Sequence, residues 1–124
     1  MGEKPFVVVI DDTAVYRDGL KRVLQYDFTV ATFSQEGINQ VVELSHVDVF
    51  IVDYKMPRIR GPEVIEKLKP LYPNAVFIGL STMMPGEEAM IKNAFNRAGA
   101  DLVLVKDFRI AELIAEIKTA LEGR

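Results

Sequence analysis

The chain has no cysteine and a single histidine, His46. Without cysteine there is neither a disulfide framework nor a thiolate metal centre, a usage that fits a reducing compartment. Long hydrophobic runs are missing too. The apolar stretches are strand-sized, far short of the ~20 residues a membrane helix needs, and no positively charged n-region precedes the first of them. Basic residues are not in excess: the formal charge is −3, which leaves no electrostatic footprint for nucleic acid and is too small to mark an acidic disordered tail. Linkers, internal repeats and low-complexity tracts are absent. What is present is 124 residues, 49% of them hydrophobic. That is one domain, residues 1–124, able to bury a core without staples. A soluble, cytoplasmic domain is expected, with His46 as a surface residue rather than a catalytic base.

Four apolar runs read as strands covered on both faces by helices: residues 6 to 10 (FVVVI), 49 to 52 (VFIV), 75 to 80 (AVFIGL) and 102 to 105 (LVLV). They are expected inside a parallel sheet. Residues 28 to 33 (FTVATF) mix polar and apolar positions and suit a half-exposed edge strand. Between these runs the period lengthens to about 3.6. Tyr16, Leu20, Val23 and Leu24 form one stripe; Ile38, Val41 and Val42 a second; Val64, Ile65 and Leu68 a third. Ile91, Ala94, Phe95 and Ala98 form a fourth, and Ile110, Leu113, Ile114, Ile117 and Leu121 a fifth. Pro62 suits a first helical turn, Pro70 stops that helix, Pro85 and Gly86 open the fourth, and Gly99 caps it. Strict alternation with short links predicts an α/β fold: a five-stranded parallel sheet, doubly wound in three layers.

In such sheets ligands bind beyond the carboxyl ends of the strands, where the strand order reverses. The residues there are Asp11 and Asp12 after the first strand, Asp53 after the third, Ser81 and Thr82 after the fourth, and Lys106 and Asp107 after the fifth. Ser34, after the second, reads as a helix N-cap. Singly, each has an ordinary use: Asp12 or Thr13 caps the first helix, Asp53, Ser81 and Thr82 serve turns, and Lys106 is solvated. Jointly they form a constellation. Two unit charges ~4 Å apart at an effective dielectric near 20 interact by about 4 kcal/mol, so three ionised carboxylates stay together only with a cation or shifted pKa values. All-oxygen ligands without nearby His or Cys favour Mg2+ over zinc and leave coordination positions for water and a phosphoryl oxygen. Lys106 then offers a point charge to a second phosphoryl oxygen and Ser81 a hydrogen bond to a third. Phosphoryl transfer is mostly positioning and charge neutralisation, which these residue types supply.

The same residues resemble the receiver domain of two-component response regulators over nearly the whole chain. The resemblance is carried by the Asp11-Asp12 pair, by Asp53 with Met56, Pro57 and Gly61 in DYKMPRIRG, by Ser81 closing FIGLS, and by Lys106 in GADLVLVKD. It implies a flavodoxin-like fold with strand order 2-1-3-4-5. It also implies that Asp53 is the phosphoacceptor, that Asp12 binds Mg2+ directly and Asp11 through water, and that the backbone carbonyl of Lys55 completes the protein ligands. Ser81 and Lys106 would grip the transferred group. The implied donor is the phosphohistidine of a histidine kinase or phosphotransfer protein. The implied output goes to an effector domain or downstream protein, with a phosphorylation-dependent homodimer as one form of it. No nucleic acid or membrane contact is expected of the domain itself, and no enzymatic activity beyond its own phosphorylation and dephosphorylation.

Three positions depart from the family's usual pattern, and two more bear on the lifetime of the phosphorylated state. Val103 stands where Tyr or Phe is frequent, Thr82 where Ala or Gly leaves room for the phosphoryl group, and Asp107 where proline often follows the lysine. Lys55 and Met83 occupy the two positions that help to orient the hydrolytic water, and neither is an acid or amide, so slow hydrolysis of the aspartyl phosphate is expected. Gly79 inside the fourth strand marks close backbone packing. The segment STMMPG, Ser81 to Gly86, and the helix after it are expected to carry the switch. A pseudo-receiver, the same fold used as a constitutive binding module, is the alternative. A Mg2+-dependent phosphatase lacks a visible general acid and cap.

Overall fold

The computed structural model describes residues 3–107 and 109–124. Five parallel strands, β1 (Phe6–Ile10), β2 (Thr29–Phe33), β3 (Val49–Asp53), β4 (Val76–Ser81) and β5 (Leu102–Val105), line up in the order β2-β1-β3-β4-β5. Five helices alternate with them: α1 (Ala14–Leu24), α2 (Ile38–Val41), α3 (Gly61–Leu68), α4 (Glu88–Ala98) and α5 (Ile110–Glu122). The register is continuous, with Val7 opposite both Val30 and Val49, and Val52 opposite Gly79.

The apolar strand runs divide by their period of two. Val8, Ile10, Phe50, Val52 and Phe77 face Ile38, Val41, Val64, Ile65, Leu68, Ile91 and Phe95 of α2, α3 and α4. Val7, Val9, Ile51, Ile78 and Leu80 face Leu20 and Leu24 of α1 and Leu113 and Ile117 of α5. Each central strand therefore feeds two cores, which is why it tolerates no polar position until its carboxyl end. Fully burying such a side chain stabilises by about 1.5–3 kcal/mol. Gly79 makes room in this packing. A Cβ there would lie 2.5 Å from Cγ of Phe95, whose ring meets Tyr54 edge-on at 5.7 Å.

Local chemistry sets the helix ends. Glu63 accepts the N–H of Arg60 at 3.0 Å and Glu112 that of Arg109 at 3.0 Å, each satisfying one unpaired donor at a helix start. Gly99 ends α4 at φ 103°, the left-handed conformation a Cβ disfavours.

Four expectations need correction. The LVLV run forms the second edge of the sheet, with Leu102 to Val105 all half-buried, because among the described residues no strand pairs with its outer side. The second helix is one short turn behind a 3-10 turn (Gln35–Gly37), and Val42 is its C-cap. Pro85 and Gly86 lie in the turn before α4, which starts at Glu88; Gly86 has φ 89°, incompatible with a helix. Neither Thr13 nor Ser34 caps with its side chain: Asp11 accepts the Thr13 N–H at 2.8 Å, and the Ser34 hydroxyl donates to Glu36.

Candidate functional site

Because all strands are parallel, their carboxyl ends lie on one edge, and that edge gathers Asp11, Asp12, Asp53, Ser81 and Lys106. The ladder continues one residue beyond the strands. Asp11 N–H donates to Phe33 O at 3.0 Å, Tyr54 N–H to Leu80 O at 3.0 Å and Lys106 N–H to Ser81 O at 2.9 Å. Sheet hydrogen bonds thus fix the backbone that carries Asp11, Asp53 and Lys106, which suits a site needing preset geometry.

At the centre stands Lys106. Its ammonium lies 2.8 Å from Asp11 Oδ2 and 3.1 Å from Asp53 Oδ1, joining two carboxylates that are almost entirely buried. The ring of Tyr16, with its centroid 4.2 Å from Lys106 Nζ, covers the same ammonium. Burial first, then the neighbouring Asp11 charge, pushes the Asp53 carboxyl up to about 6, against the lowering effect of Lys106 and of the Lys55 N–H. Tyr16 is pushed up to about 12 by burial and then by the Asp11 and Asp53 charges. Its phenol stays protonated.

The remaining site residues are held differently. Asp12 turns toward the β2–α2 connection, where its Oδ1 accepts the backbone N–H of Gln35 at 2.8 Å. Asp11 and Asp53 thus share Lys106 while Asp12 stands apart, and the described residues gather no group of three acidic or histidine side chains in metal-holding positions. Ser81 is fully buried and its hydroxyl donates to Thr82 O at 2.6 Å, with Thr82 itself exposed. Lys55 reaches across to Glu87 at 3.0 Å, and the same Glu87 oxygen accepts the Met84 N–H at 2.9 Å, linking the loop after β3 to the turn before α4. Val103 and Met83 pack against the core on the α4 side, whereas Met84 and Met90 are exposed. His46 is exposed and pairs with Asp48 at 2.9 Å.

Three contributors do not stand out in the sequence. Tyr16 sits four residues after Asp12, one helical turn on, a spacing that aims it back at the strand ends. Gln35 and Glu87 act across 23 and 32 residues respectively, and no local pattern announces them.

The donor chemistry fits a hard divalent cation. Two carboxylates, Asp11 and Asp53, share one ammonium, Asp12 adds a third negative charge at the same strand ends, and Arg17 donates to the Asp11 carbonyl at 2.6 Å. The pocket stays net negative, and every donor in it is oxygen. Burial first and the Asp11 charge second disfavour the ionised Asp53 carboxylate despite Lys106, a cost that a bound cation would reduce.

Residues 7–118 match the family model described as the response regulator receiver domain. The chain belongs to this family. Among curated relatives, this receiver is 31% identical over 121 residues to the transcriptional regulatory protein DegU of Brevibacillus brevis, covering 94% of this chain and 50% of that protein. It is 31% identical over 118 residues to the chemotaxis protein CheY of Thermotoga maritima, covering 92% of this chain and 93% of that one. Of several relatives, then, the chain spans only about half the length. A CheY-like receiver domain protein from Methanospirillum hungatei superposes with a TM-score of 0.84 at 23% identity, over 98% of this chain and 96% of that one, a likeness of fold. The flavodoxin-like order 2-1-3-4-5 of such receivers is the order found here. Among the described residues no helix is long and apolar enough to cross a membrane.

Proposed function

Receiver domains serve phosphorylation-dependent signalling, and we propose that this one accepts a phosphoryl group on Asp53. The supporting observation is a buried carboxylate at the end of a central strand, sharing one ammonium with Asp11 at 3.1 and 2.8 Å. An Asp53 oxygen attacks phosphorus and the P–N bond of a phosphohistidine breaks. The electron pair leaves with the imidazole, which takes up a proton, and an acyl phosphate remains. Asp11, Asp12, Asp53 and the Lys55 carbonyl would hold Mg2+, whose charge neutralises the transferring phosphoryl oxygens. Lys106 moves its charge from the Asp53 carboxylate to the phosphoryl group. Ser81 releases the Thr82 carbonyl to donate to another oxygen. The chain acts on itself and on no external substrate.

The donor is a histidine kinase or phosphotransfer protein. A groove of about 430 Å³ between the starts of α1 and α5, lined by Val15, Tyr16, Leu20, Ile110 and Lys106, opens beside the site toward such a donor. The output is a changed surface around α4, β5 and α5, read by an effector domain, a separate protein or a second copy of this chain as a phosphorylation-dependent homodimer. The cytoplasm, where such kinases present their phosphohistidine, is the proposed location.

Intact mass after incubation with Mg2+ and acetyl phosphate tests the assignment. One phosphoryl addition is expected in this chain and none in Asp53→Asn. Slow hydrolysis is expected afterwards, with a half-life of hours, because Lys55 is tied to Glu87 and Met83 packs inward, leaving neither to orient water. Loss of the added mass within about a minute would overturn that expectation.

The pseudo-receiver reading draws on the Ser81 hydroxyl and the Asp12 carboxylate being engaged by the chain's own backbone. Failure to take up phosphoryl from both acetyl phosphate and a kinase would select it.

A further inference from the structure

Among the described residues Gln35 is one of few buried polar side chains, 9% exposed at the start of the 3-10 turn after β2. Its two ends hold different things. The backbone N–H donates to Asp12 Oδ1 at 2.8 Å. The side-chain Oε1 accepts the backbone N–H groups of Arg58 at 3.0 Å and Ile59 at 3.2 Å. Those amides belong to residues 54–60, an irregular stretch between β3 and α3 that also carries Lys55. An irregular segment keeps its shape through side-chain partners of this kind, since its backbone donors have no ladder to join.

We infer that Gln35 is a positioning residue, which fixes the Asp12 carboxylate and the Lys55-bearing loop at one separation so that both can serve the same cation. The inference rests on the proposed Mg2+-assisted phosphorylation and adds to it the residue that presets the ligand spacing. A fixed spacing matters because Mg2+ tolerates little departure from octahedral geometry, and supporting groups behind metal ligands are typically worth about 10–100-fold in affinity.

The test uses Mg2+ alone, without phosphodonor, followed by the shift of the Asp12 and Tyr54 amides in NMR spectra, together with hydrogen exchange at Arg58 and Ile59. Gln35→Met keeps the length and loses the acceptor. It is expected to speed exchange at both amides and weaken Mg2+ binding about tenfold. Gln35→Glu keeps an acceptor, so slow exchange should return, with Mg2+ binding no weaker than in the unaltered chain. Asp12→Ala removes the partner of the Gln35 N–H and should speed exchange at Arg58 and Ile59, which Asp12 does not touch. A loop fastener with no tie to the site would not give that result. Unchanged Mg2+ affinity in Gln35→Met, or unchanged exchange in Asp12→Ala, overturns the inference. No Mg2+ binding by the unaltered chain overturns the cation reading beneath it, which is a distinguishable failure. Should Gln35→Met not fold, Gln35→Asn, too short to reach the two amides, carries the same readouts.

Discussion

Asp53→Asn is expected to be more stable than the unaltered chain by about 2 kcal/mol at about pH 7.5 in chelator, although it removes a charged partner from Lys106. The cause is the direction in which the site moves this carboxyl, from 3.8 to about 6, by burial first and by Asp11 second. Between those values the folded chain holds a proton at Asp53 that the unfolded chain has lost, so stability falls as pH rises through that window and stays reduced above it. Asn carries no such penalty. The advantage of the variant should therefore vanish below about pH 4, where Asp53 is protonated in both states. Saturating Mg2+ should narrow the gap, since a cation that binds only the folded, ionised site stabilises it by mass action. Urea denaturation across pH gives the measurement. A variant less stable than the unaltered chain at neutral pH would show that the Lys106 pairing outweighs burial. This cost then connects to function: burial and the Asp11 charge both disfavour the ionised Asp53 carboxylate, so a cation bound beside it is favoured in part because it offsets that cost.

Much of this site is legible in the sequence because it depends on chain position alone. A fully apolar strand cannot carry a carboxylate until it leaves the core, so Asp11 and Asp53 announce the sheet's carboxyl edge, and parallel topology does the gathering. The two-faced core is readable for the same reason in Val7 to Ile10 and Val49 to Val52. Periodicity does not separate an interior strand from an edge strand whose flanking helices cover most of it, which is why LVLV reads as interior although Leu102 to Val105 are half-exposed. Nor does it measure α2, where Ile38, Val41 and Val42 suit equally a long helix and a single turn. Side-chain direction escapes entirely. Asp11 and Asp12 are identical neighbours, yet one faces Lys106 and the other faces Gln35, and only the packed β2–α2 connection decides between them.

Gly61→Ala is expected to cost about 3 kcal/mol of stability and to lower the rate of phosphoryl uptake by Asp53 at least tenfold. Gly61 opens α3, yet it lies against the strand end that precedes it: a Cβ there would overlap the Asp53 carbonyl oxygen and come within 2.9 Å of Phe95 Cε1. A flexible side chain could step aside, but backbone cannot. Asp53 is held by its strand pairing with Leu80, so the added methyl must displace either α3 or the phosphoacceptor itself. The glycine of the DYKMPRIRG motif is therefore a packing requirement of the reactive residue, placed eight positions downstream because the loop returns to it. Gly19→Ala serves as the control. That position, inside α1, has nothing within 4 Å of an added Cβ, and the change should stabilise by about 0.5–1 kcal/mol through helix propensity without affecting phosphorylation. Urea midpoints and acetyl phosphate kinetics on the two variants separate the effects. If Gly61→Ala retained both its midpoint and its rate, the close approach of α3 to Asp53 would not be what positions the acceptor. If it lost stability while keeping its rate, the helix and not the strand end would be the part that yields.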